Sequence, residues 1–151
     1  MSYSTADARE QVLDELANAT EHLGTAVARL GEAYELVDEQ TADRLEEQLF
    51  RPLQAAYGVA RRTHAEFSAR YEIKGRELGQ PSPGLPAGPR EEIERAADEV
   101  RTADATIVAL QDSMLPVEVG DTELRAGLSR TRELIAPLPA LTREIVRTLG
   151  R

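Results

Sequence analysis

The chain contains no cysteine, which removes disulfides, thiol nucleophiles, iron–sulfur clusters and cysteine-ligated zinc together. It contains only two histidines, His22 and His64. A di-metal carboxylate bundle needs a Glu-x-x-His motif on each of two helices. Three residues before His22 stands Ala19, and three before His64 stands Arg61, so neither histidine completes the motif. If the first two helices pair about a turn near residue 39, the histidines lie about eight residues apart along the bundle, or ~12 Å. That is too far for one shared ion. No cofactor and no metal site is expected.

Long apolar runs are also missing. Nothing approaches the ~18 residues of a membrane span. The stretch Met1 to Glu10 is polar and carries Asp7 and Glu10, without the basic-then-apolar order of a signal peptide. The expectation is a soluble cytoplasmic protein. Lysine is almost absent: of 18 basic residues, only Lys74 is not arginine, a usage that fits a GC-rich bacterial genome.

Positive charge is in the minority. The 151 residues carry 27 acids against 18 bases, a formal net charge of −9. A field of that sign repels a polyanion, so nucleic acid is not an expected partner. The charge is unevenly spread. Residues 1–50 hold 12 acids and 3 bases, and residues 81–121 hold 9 acids and 3 bases. Residues 51–80 and 122–151 each hold 3 acids and 6 bases.

What the chain does have is helical periodicity. Val12, Leu16, Ala19, Leu23, Ala26, Leu30, Ala33 and Val37 step by four and three, a coiled-coil-like a/d seam sustained over more than three heptads. After a break at 37–41, with Thr41 as a candidate N-cap, a second seam runs through Leu45, Leu49, Leu53, Ala56, Ala60, His64, Phe67, Tyr71 and Leu78. Pro52 lies inside it and predicts a kink or a restart, because its ring crowds the carbonyl of Gln48. Residues 80–89 hold four prolines and two glycines and cannot be helical.

A third seam runs from Ile93 to Met114, and a fourth from Leu124 to Leu149, interrupted by Pro137 and Pro139. Asp121 or Thr122 can cap the fourth. No strand signal stands out. These patterns predict one all-α domain over 1–151, an antiparallel four-helix bundle built from two long helical hairpins. The hairpins span 5–78 and 90–150, joined by a Pro/Gly linker at 79–89, in up-down-up-down order. Each hairpin would set an acidic arm against a basic one.

Catalytic signatures are sparse. Gly-x-Ser-x-Gly is absent, Ser68 has only His64 one turn earlier, and Gly84 and Gly88 follow no strand. Arg61, Arg62, Arg70, Lys74 and Arg76 form the clearest basic cluster, interleaved with Tyr57, Phe67 and Tyr71. An anionic ligand could sit there, and an enzyme site could draw on Arg61, Glu66 and Tyr71. His64 would lie beside Asp14. Helices bent at Pro52 and Pro137 could open an apolar groove for a ligand or a partner helix.

The candidate contact residues are therefore Arg61, Arg62, His64, Tyr71, Pro52 and Pro137. The function expected first is non-catalytic: protein–protein interaction or self-association. The alternative is a bundle that binds an apolar or anionic small molecule. Finally, Tyr3-x-x-x-Asp7 and Tyr34-x-x-x-Asp38 resemble the Tyr-x-x-x-Asp/Glu pattern of type VII secretion substrates. Those are helical hairpins that pair into four-helix bundles, and the resemblance implies a secreted hairpin. It covers five residues at a time, and the accompanying Trp-x-Gly turn is absent because the chain has no Trp.

Overall fold

A computed structural model describes residues 5–149, and among them the regular elements are helices alone. The order is α1 (Thr5–Tyr34), α2 (Glu39–Arg44), a π-helical segment (Leu45–Phe50), α3 (Arg51–Arg70), α4 (Pro89–Asp112), α5 (Leu115–Glu118), α6 (Thr122–Ile135) and α7 (Leu138–Leu149). Among the described residues, no helix is long and apolar enough to cross a membrane.

Local chemistry sets the boundaries. Asp38, rather than Thr41, is the N-cap of α2: its carboxylate accepts the Thr41 N–H at 2.7 Å. The π-helical turn ends two residues before Pro52, and the wider turn makes room for a ring that cannot donate a hydrogen bond. The seam is thus continued past Pro52 rather than broken. Asp121 caps α6, accepting the Leu124 N–H at 2.7 Å. The fourth seam divides at Pro137 into α6 and α7.

The second long helix does not reach Leu78. It stops at Arg70, where Glu72 takes a left-handed backbone conformation (φ 52°). The Ile73 N–H then turns back to the Ser68 carbonyl at 3.0 Å, and the Ser68 hydroxyl donates to the Ile73 carbonyl. These bonds satisfy carbonyls at the helix end in the manner of a Schellman cap. The irregular connection is therefore 71–88, not 79–89.

That longer connection changes the topology. Gly75 lies against Leu13, Pro81 comes up to Gly24, and Arg29 donates to the Leu85 carbonyl at 3.2 Å. The chain thus climbs back along α1. Sixteen helical residues, Leu13 to Arg29, rise ~24 Å. The ten residues from Gly75 to Leu85 can reach ~33 Å when extended, and proline favours that conformation. α4 accordingly starts beside Arg29 and descends antiparallel to α1: Arg29 pairs with Glu92 at 2.7 Å and His22 with Glu99 at 2.6 Å. α3 is also antiparallel to α1, with Tyr57 at Gly24 and Tyr71 at Arg9. α6 is antiparallel to α3, through Thr63 with Gly127 and Arg70 with Asp121. The order is up-down-down-up with a return strap, not up-down-up-down.

The helix neighbours differ accordingly. The most extensive interface joins α1 to α4, followed by α3 to α6 and α1 to α3. The first pair sets two acidic segments side by side and the second two basic ones, so charge did not select these neighbours. Packing did. At the α1–α4 register, buried Ala19 stands level with Ala103, and Ala26 with Ala96. Alanine layers let the two axes approach closely between layers of Leu, Ile and Val. Buried Leu23, Leu30, Leu45, Leu49, Leu53, Ile93, Ile135 and Ile145 form one core cluster. Val12, Leu13, Leu16, Phe67, Ile107, Leu124 and Leu128 form a second, towards the start of α1.

Candidate functional site

An open groove lies between α4 and α7, with a volume of about 760 Å³. It exists because both walls carry small residues where they face each other. Ala97 on α4, and Ala140, Thr142 and Val146 on α7, line it. Pro137 ends α6, so α7 starts in a new direction beside α4. The rim is charged. Arg90 pairs with Glu94 at 3.2 Å and Arg101 with Asp98 at 2.8 Å, both within α4. Arg143, Glu144 and Arg147 supply the α7 rim. A second hollow of about 150 Å³ continues the seam past Asp104 to Ile135 and Pro139.

None of the six sequence candidates lines this groove. Pro137 forms the break that precedes α7. Pro52 sits at the second position of α3, between the π-helical turn and Leu53, and the groove is not lined by it. Arg61 and Arg62 are exposed on α3; the Arg61 guanidinium lies over the Tyr57 ring, 5.4 Å from its centroid. His64 and Tyr71 turn inward elsewhere. The six residues are thus spread over several places and do not converge.

His64 is buried beneath the strap near Gly75, and its Nε2 has no hydrogen-bond partner among the described residues. Burial, with Arg76 adding repulsion, lowers its pKa; Asp14 and Glu21 oppose this without cancelling it. His64 is therefore a neutral core residue.

Tyr71 belongs to a polar knot. Its hydroxyl donates to Asp121 at 2.8 Å, its ring packs against Phe67 at a tilt of 60° with centroids 4.9 Å apart, and Arg9 covers it at 4.1 Å. Arg70 grips the same carboxylate through two bonds, at 2.8 and 2.9 Å. Burial alone would raise the Asp121 pKa, but Arg70, the Leu124 N–H and the Tyr71 hydroxyl outweigh it, and the pKa is lowered. Donation to that carboxylate raises the Tyr71 pKa. Every oxygen here is engaged, and the knot ties the end of α3 to the starts of α6 and α1.

Two further features were not read from the sequence. Glu92 is buried with its side chain 1 % exposed, held by Arg29, and Arg29 also holds the strap at Leu85. His22 meets Glu99 of α4 at 2.6 Å. Both involve α4, a neighbour that the two-hairpin arrangement denied to this face of α1. Arg143 and Arg147 were also missed. The available signal was Pro137 and Pro139 followed by Ala140 and Thr142, which marks a redirected helix with a small-residue face.

Among the described residues, no group of three His, Asp or Glu side chains could hold a metal ion. Of the two Tyr-x-x-x-Asp matches, Tyr3 lies outside the described residues. In the other, Tyr34 closes α1 and Asp38 is occupied as the α2 cap. No protein-family model matches the chain, and neither a curated protein nor a solved structure matches it.

Proposed function

We propose that the protein is a non-catalytic interaction protein, a cytoplasmic four-helix bundle that docks a partner helix in the α4–α7 groove. The observation that supports this is the groove itself: open, lined by Ala97, Ala140, Thr142 and Val146, and edged with charge. Helix-in-groove recognition needs an apolar trough with polar rims. The bundle reading rests on four long helical arms, each antiparallel to its main neighbour. The remaining polar clusters favour a structural role, since the Asp121 knot is saturated with hydrogen bonds and His64 is covered by the strap.

The test is native mass spectrometry of the protein purified gently from its own host, with an Ala140→Glu variant alongside. The expected result is a stoichiometric protein partner on the 16.6 kDa chain, lost in the variant. A bare chain that turns over a substrate would overturn the reading. A second reading, binding of an anionic amphiphile, draws on the same groove, whose volume lies in the range of small-molecule sites. A small added mass in place of a protein partner would favour it.

A further inference from the structure

The two walls of the groove differ in how their charges are met. On α4, Arg90 and Arg101 are neutralised by Glu94 and Asp98 of the same helix. On α7, Arg143 and Arg147 are exposed and stand one turn apart, and neither has a hydrogen bond or ion pair among the described residues. Glu144 is the one acid on the α7 rim. The groove therefore carries an excess of positive charge on one edge, within a chain whose total is −9. Covering these two guanidinium groups with a neutral helix would strip them of water without replacement. A carboxylate pair at i and i+4, rising ~6 Å, matches their spacing.

Length adds a second constraint. The groove and its continuation follow α4 from Arg90 to Ala105, fifteen residues or ~23 Å. That accommodates about four turns of a docked helix. The small side chains lining the groove admit a modest apolar stripe.

We propose that the occupant is an acidic amphipathic helix of a partner protein, with carboxylates one turn apart on Arg143 and Arg147. This rests on the reading that the groove docks a helix. A second copy of the chain does not supply such a helix. The acidic helices α1 and α4 turn their apolar faces into their own core, and the exposed large apolar residues Tyr34, Leu36, Leu85, Met114 and Val117 lie at helix ends, turns and the strap.

The experiment uses the full chain and three labelled peptides of about 15 residues, the length that four helical turns require. They share one Ala/Leu stripe and differ only in flanks of Glu, Gln or Lys. Binding is read by fluorescence anisotropy, and the covered segment by hydrogen exchange over 138–149. The Glu peptide is expected to bind at least about tenfold tighter than the Gln peptide and to protect α7. R143E/R147E abolishes that preference and favours the Lys peptide, whereas R61E/R62E, on the exposed face of α3, leaves it unchanged. Raising salt from ~50 to ~200 mM weakens the Glu peptide most.

If the Gln or Lys peptide protects α7 equally well, the acidic partner is refuted while groove docking stands. An equal loss in R61E/R62E also refutes it, since the attraction is then diffuse. If the unlabelled chain itself protects α7, the occupant is a second copy and the proposal fails. If nothing protects α7 at either salt, groove docking falls as well.

Discussion

Replacing Gly127 by alanine sets two physical effects against each other. Gly127 lies inside α6, where alanine is better than glycine by about 1 kcal/mol in helix propensity. Propensity alone therefore predicts a more stable protein. The structure predicts the opposite. A methyl group at Gly127 would fall within van der Waals contact of Thr63 Oγ1, 2.7 Å from its Cγ2 and 3.0 Å from its Cβ. Turning the threonine cannot relieve this, because its Cβ is fixed by the α3 backbone and its hydroxyl is bonded to the Val59 carbonyl at 2.7 Å. The two helices must move apart by roughly 1 Å, which forfeits a quarter to a half of the dispersion energy along their seam.

Overpacking of this kind costs about 1–3 kcal/mol. Taking the upper half of that range, because backbone-fixed atoms collide, and subtracting the propensity gain of about 1 kcal/mol leaves a net loss of about 1–2 kcal/mol. For a chain of this size the melting temperature should fall by roughly 2–8 °C. Urea unfolding of the parent, Gly127→Ala, Thr63→Ala and the double variant forms a cycle. The double variant should recover much of the loss, with a coupling of about 1 kcal/mol or more. If Gly127→Ala melts at or above the parent temperature, α3 and α6 do not cross where the structure puts them.

Three other predictions rest on the polar contacts. Asp121→Ala removes the α6 cap and both bonds to Arg70, so urea unfolding should show a loss of about 2–3 kcal/mol. Arg29→Met leaves the Glu92 carboxylate buried without its main counter-charge and should cost about 3–5 kcal/mol, most of it restored in R29M/E92M, because a volume-matched apolar pair replaces the ion pair. His64 has a pKa below its ordinary 6.5 in the fold, so the unfolded chain binds the proton more readily. Its stabilising contribution is complete above 6.5 and declines as pH falls below it. Denaturation midpoints should therefore fall between about pH 7.5 and pH 5.5 in the parent, and by clearly less in His64→Gln. An unchanged slope would mean that the ring is not held neutral under the strap.

How much of this was legible in the chain depends on the range of the interaction. Helix positions follow from i to i+3 and i+4 spacing, which any window of a dozen residues contains. The absence of strands, the Asp121 cap and the division at Pro137 are local in the same sense. The end of α3 was misplaced because Leu78 continues the seven-residue rhythm. What stops the helix is the left-handed turn at Glu72, closed by bonds from Ser68 and Ile73. A carboxylate such as Glu92 reads as a solvated helix residue until α1 arrives to bury it.

By itself, then, the sequence determined an all-helical chain with no cysteine chemistry, no helical membrane span and two halves of alternating charge. Those are properties of composition and of neighbours along the backbone. The tertiary structure alone decided that the strap climbs α1, that α4 rather than α3 is its main partner, and that α7 leaves a trough beside α4. Helix pairing sums many weak contacts between residues far apart in the chain. Here the packing of α1 along α4 joined two acidic segments, and it prevailed over exposed charge pairs that contribute only ~0–1 kcal/mol each.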